Sequence, residues 1–136
     1  MAGHKVYNTP LFQKIGIKEG MKCATIGAPS WISEELEKQH HLPDIDKLST
    51  TDYNVIWIFE NSMNGMESKL KNAKVRIVKN GMIWVSWYKK ASKKQTELNE
   101  DIIRDTALAL DLVDVKVASV DDDWSALKIV IPVTKR

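Results

Sequence analysis

From Gly81 to Ser92 the chain reads Gly-Met-Ile-Trp-Val-Ser-Trp-Tyr-Lys-Lys-Ala-Ser, an apolar strand that breaks without transition into a cationic, hydroxyl-bearing loop. The run from Tyr53 to Phe59, Tyr-Asn-Val-Ile-Trp-Ile-Phe, is just as poor in polar residues. Strands of this kind cannot leave one face in water, so they belong inside a parallel sheet with helices packed on both faces. That requirement limits the chain to the α/β class more firmly than its composition does.

The 136 residues suit a single domain, 1–136, whose core needs neither disulfide nor metal. With 20 basic and 18 acidic side chains, the net charge of +2 is too small to draw nucleic acid by field strength, so any basic site has to be local. Cys23 is the only cysteine, which excludes an intrachain disulfide and suits a reducing interior. No stretch has the length of a signal peptide's apolar region or the roughly 20 apolar residues that span a bilayer, and a cytoplasmic protein without membrane partners is expected.

In chain order, Thr9 caps a short helix with Pro10 in its first turn and Gly16 at its end. Met21 to Gly27 reads as a first, buried strand, and Gly27-Ala28-Pro29-Ser30 turns into a helix reaching His41, with Ile32 and Leu36 on its inner face. The span from Leu42 to Asp52 has room for one short strand but none for a crossover helix. After Tyr53–Phe59, Asn64 and Glu67 resemble a capping box for a helix whose apolar residues Met66, Leu70, Ala73 and Ile77 recur at helical spacing, with Asn80-Gly81 as its stop. Met82 to Trp87 is the next strand. Asn99, Glu100 and Asp101 open the last helix, and Asp114–Val120 and Ser125–Val133 form a closing antiparallel pair around Asp121-Asp122-Asp123. Pro132 lacks a ladder donor and should end that pairing.

Alternating strands and helices ending in an antiparallel pair resemble the class I methyltransferase fold: a Rossmann-like, mostly parallel sheet with a reversed C-terminal strand, here with an abbreviated front half. A closer resemblance rests on Gly27-Ala28-Pro29, Trp84-Val85-Ser86-Trp87, Lys89-Lys90-Ala91-Ser92, Leu112 to Val117 and Trp124-Ser125-Ala126-Leu127-Lys128. These pieces are similar to a family of small bacterial proteins known only as a domain of unknown function. The resemblance spans Thr9 to Val130 and implies a fold without supplying an activity. Tyr88 stands where that family is expected to carry proline.

In open α/β sheets ligands bind beyond the carboxyl ends of the strands, where strand order reverses. Gly27, Pro29, Ser30, Glu60, Trp87, Lys89, Lys90 and Ser92 are therefore the candidate ligand-binding residues, with helix-start amides and lysines for an anion and Trp87 or Trp31 for a planar group. A S-adenosylmethionine site calls for a glycine-rich turn, an acid before it and a carboxylate closing strand two. The turn Ile26-Gly27-Ala28-Pro29-Ser30-Trp31 has a single glycine, strand one has no acid, and only Asp44 or Asp46 could stand in for the carboxylate. No catalytic or metal residue is assigned: His40 and His41 are adjacent rather than three or four apart, Cys23 is mid-strand, and Ser86 has no nucleophile elbow. Lys89, Lys90, Lys93 and Lys94 beside Trp87 and Tyr88 could meet nucleic acid, but with the net charge near neutral a solvated loop accounts for them better, and no nucleic-acid partner is expected. The sequence thus points to a non-enzymatic domain binding a small anionic or nucleotide-like ligand or a partner, with no cofactor assigned. Methyl transfer and a structural or adaptor role, including a homodimer, are the alternatives.

Overall fold

A computed structural model of the protein describes residues 11–40, 44, 45, 48 and 50–136. A short helix α1 (11–15) precedes β1 (Cys23–Ile26), α2 (Ser30–His40), β2 (Asp44–Ile45), β3 (Tyr53–Phe59) and α3 (Met63–Lys74). Then follow β4 (Ile77–Tyr88), α4 (Glu100–Ala109), β5 (Val113–Ser119) and β6 (Trp124–Val130). The strands form one sheet in the order β2-β1-β3-β4-β6-β5. The first four in that order are mutually parallel, and β6 alone runs against its neighbours β4 and β5. This is the expected Rossmann-like sheet with its reversed strand. Among the described residues β2 pairs with β1 at Ala24–Asp44 and Thr25–Ile45.

Alternation along the central strands supplies both faces of the core. Ile56, Ile58, Ile83 and Val85 pack against Met66 and Leu70 of α3 and Ile103 and Ala107 of α4. Val55, Trp57, Phe59 and Trp84 point the other way, against Phe12 and Ile15 of α1 and Ile32 and Leu36 of α2. The two indoles with no exposed surface keep a partner for their N–H: Trp57 Nε1 donates to Ser86 Oγ at 2.7 Å and Trp84 Nε1 to the Ile15 carbonyl at 2.8 Å. Ser86 is thus a buried acceptor in the sheet, which gives its hydroxyl a structural use.

Several boundaries differ from the sequence reading. α3 stops at Lys74, and Ile77 begins β4, paired with Tyr53 before a register shift carries the ladder on to Val55–Met82. Val75, Ile77 and Val78 are β-branched, and burial of Ile77 in the sheet outweighs its helical spacing from Ala73. Asn80 and Gly81 consequently lie inside a strand rather than at a helix stop. The cap of α3 is Ser62, whose Oγ accepts from the Gly65 amide at 3.0 Å, and not Asn64. Asn99 does cap α4, accepting from Ile102 N at 2.9 Å, and Gly16 ends α1 at φ +95°. β6 ends at Val130, two residues before Pro132. Thr9, Pro10, His4, His41, Pro43 and Asp46 lie outside the described residues. No helix among the described residues is long and apolar enough to cross a membrane.

Candidate functional site

The chain leaves β1 towards β2 on one side and returns to β3 on the other, so strand order reverses between β1 and β3. Ile26 is paired with Ile58, and Phe59 with Ser86, so the backbone breaks at positions 27, 60 and 88 leave three adjacent parallel strands on one rim. Gly27 adopts φ +72°, and a Cβ there would lie 2.7 Å from the Phe59 carbonyl oxygen. Only glycine lets β1 turn this close to β3. Across the rim the Glu60 amide donates to the Ser86 carbonyl at 3.0 Å, and the Tyr88 amide to Asn61 Oδ1 at 2.8 Å. The Asn61 carbonyl also accepts from the Glu97 amide at 2.9 Å, tying the β4–α4 loop to the end of β3.

Because β6 is antiparallel to β4, Trp124 pairs with Tyr88 and the Asp121–Asp123 turn arrives at the same rim. Asp121 Oδ1 accepts from the amides of Asp123 and Trp124 at 2.8 and 2.9 Å, which fixes the turn. Asp123 Oδ2 holds Lys94 Nζ at 2.9 Å, and that ammonium lies 5.3 Å from the centre of the Tyr88 ring. The hydrogen bond to Asp123 raises the Lys94 pKa, so the lysine is charged wherever the pair is formed.

Two clefts open on this rim. One, of about 420 Å³, has Gly27 and Pro29 beside the rings of Trp31, Tyr88 and Trp124, with Lys94, Asp121 and Asp123 as its charged groups. The other, of about 570 Å³, lies under the lysine loop between Trp87 and Asn99, with Lys90, Lys93 and Lys94 as its charged groups. Tyr88 and Lys94 belong to both.

The eight residues singled out by sequence divide accordingly. Gly27 and Pro29 line the first cleft, while Trp87 and Lys90 line the second. Trp87 is only 7% exposed and packs with Leu98 in the core, so the ring that stands between the clefts is that of its neighbour Tyr88. Lys89 turns aside to donate to Ser119 Oγ at 2.8 Å. Ser92 Oγ donates to the Lys89 carbonyl and accepts from the Lys94 amide, shaping the 3-10 turn Lys90–Ser92. Ser30 is exposed at the start of α2, outside the lining of either cleft. Glu60 is committed to the start of α3, where its carboxylate accepts from the Asn61 and Ser62 amides and from Lys69 Nζ at 2.6 Å. Partial burial by itself would raise its pKa, but those bonds and the charge of Lys69 hold it at about 2. Burial pushes the Cys23 thiol up to about 11, as befits a small apolar side chain in a strand rather than a nucleophile. Among the described residues no three His, Cys, Asp or Glu side chains are placed to hold a metal ion.

Sequence reasoning left Asp121, Asp123 and Trp124 out of the site. The available signal was topological: an antiparallel partner of β4 must begin beside the end of β4.

A doubly covered sheet with one reversed strand at its carboxyl-terminal side defines a class I methyltransferase-like fold, and solved structures share it. Magnesium protoporphyrin IX methyltransferase of Synechocystis PCC 6803 with bound SAM superposes at a TM-score of 0.67 and 8% identity over 96% of this chain and 81% of the other. The CcbJ methyltransferase of Streptomyces caelestis gives 0.64 at 8% identity over 91% and 88%. Aeropyrum pernix fibrillarin in complex with S-adenosyl-L-methionine gives 0.64 at 13% identity over 93% and 74%. At these identities the likeness is one of fold. The chain itself belongs to the family described as "Protein of unknown function (DUF3052)", whose pattern matches residues 14–133. No curated protein matches its sequence.

Proposed function

We propose that this methyltransferase-like domain is a cytoplasmic small-ligand-binding protein, taking an anionic or nucleotide-like molecule at the rim formed by β1, β3 and β4 without transforming it. The observation that supports this reading is the convergence of three parallel strand ends at the strand-order reversal, beside a cleft of about 420 Å³ walled by Trp31, Tyr88 and Trp124. Polar groups that chemistry would call on are already engaged: Glu60 with Lys69, Lys89 with Ser119 and Ser86 with Trp57. Thermal denaturation with a panel of nucleotides and anionic metabolites tests it. A true ligand at a hundredfold excess over its Kd adds about 2.7 kcal/mol of stability, and Trp31→Ala should remove that gain. A panel that leaves the melting temperature unmoved, or a hit indifferent to Trp31→Ala, contradicts it.

The fold likeness favours a second reading, methyl transfer from S-adenosylmethionine. The described residues do not suit that cofactor. The turn after β1 carries a single glycine, fixed there by the approach of the Phe59 carbonyl, and β1 itself carries no acid. Calorimetry with S-adenosylmethionine decides the matter, with no heat of binding at millimolar ligand as the expected result and micromolar binding as the result that would reinstate the enzyme.

A further inference from the structure

The two clefts share a wall but not a charge. On the Gly27 side a single lysine, Lys94, faces two aspartates. On the far side of Tyr88 three lysines line the space and no acid does. Among the described residues Lys90 and Lys93 make no ion pair, whereas Lys94 is held by Asp123. Two unpaired ammonium groups, Lys90 and Lys93, at one opening with no acid in its lining suit a multiply charged anion. The rim can therefore satisfy a molecule with two unlike ends, a planar one for the rings and carboxylates and a dianionic one for the lysines.

We propose that the ligand is a phosphorylated nucleoside, its base in the Gly27 cleft against Trp31 and Tyr88 and its phosphate in the cleft of Lys90 and Lys93, with the sugar crossing Tyr88. This rests on the rim being a ligand site at all. Asp121 and Asp123 suit the assignment of the base to the first cleft, since their carboxylates accept from an exocyclic amine and repel a phosphate. A free phosphate would leave the ring-lined cleft empty, and an unphosphorylated nucleoside would bring no anion to Lys90 and Lys93.

The test is calorimetry with the four ribonucleoside 5′-monophosphates, the four matching nucleosides and pyrophosphate, on the wild type, on Lys90→Ala/Lys93→Gly and on Trp31→Ala. Lys93 sits at φ +60°, so glycine there removes the charge while easing the backbone, and the double variant should fold. At least one monophosphate should bind about tenfold more tightly than its nucleoside, and weaken with added salt. The lysine variant should erase that difference and leave nucleoside binding within about twofold, while Trp31→Ala should weaken both ligands. If a monophosphate and its nucleoside bind equally, with no effect of the lysine variant, the phosphate placement is wrong and the rim site stands. Pyrophosphate binding as tightly as the best monophosphate overturns the base placement in the same way. Failure of all nine ligands overturns this proposal, and the rim reading is then judged by the wider metabolite panel.

Discussion

The two clefts flanking Tyr88 are built by different means. The Gly27 cleft is framed by backbone that can hardly move: a left-handed glycine against the Phe59 carbonyl, and a hairpin turn pinned by Asp121. The lysine cleft is framed by a loop anchored by a few hydrogen bonds, accepted by Asn61 and Asp123 and donated by Ser92, and its Lys90, Lys93 and Lys94 are exposed. Under the proposed reading, an aromatic slot set by fixed backbone beside a cationic one on a loop would divide shape selection and charge selection between two neighbouring strand ends. Lys94 and Tyr88, common to both, are where the two would be coupled.

The most severe way to break this arrangement is at the fixed side. Gly27→Ala places a Cβ 2.7 Å from a carbonyl oxygen at a positive φ, and should cost about 3 kcal/mol, seen as a lowered midpoint in urea unfolding. A cost below 1 kcal/mol would mean that the approach of β1 to β3 is slack. The anchor beneath the rim should show a smaller effect. Glu60 has a pKa of about 2 against an ordinary 4.5, so the stability it contributes is present above 4.5 and is lost as pH falls towards 2. Glu60→Gln should cost about 1 kcal/mol at neutral pH and flatten the acid limb of the stability profile, whereas an unchanged limb would show that the Lys69 pair contributes nothing. The adjustable side should respond least. Lys93→Gly, at φ +60°, should raise stability by less than about 1 kcal/mol, and a loss of stability would show that Lys93 is held by more than its backbone.

Much of this was legible in the sequence. The apolar runs Tyr53–Phe59 and Met82–Trp87 specified a sheet covered on both faces, and Gly27 and the lysine loop followed from where those runs end. Three features were not legible, for identifiable reasons. Ile77 falls at helical spacing from Ala73 and Leu70, and only the ladder partner Tyr53 assigns it to a strand. Ser62 and Asn64 are equally good caps in isolation, and the choice is made by Glu60, whose carboxylate folds over Ser62 and Gly65 at the start of α3. Alternation says that Trp87 and Tyr88 face opposite ways, but only the packing of α4 and Leu98 on one side and Trp124 on the other says which is buried. The cleft residues Asp121 and Asp123 were hidden for the same reason, since their place depends on a pairing between segments distant in the chain.

The central claim is that ligand binding occupies the carboxyl rim of β1, β3 and β4. Amide chemical-shift mapping during titration with the tightest-binding monophosphate tests it most directly, because it locates the ligand without presuming a residue. The largest shifts should fall at Gly27, Trp31 and the amides from Tyr88 to Thr96. Shifts confined instead to the groove of Leu108, Leu112 and Val133, at the opposite end of the sheet, would contradict it.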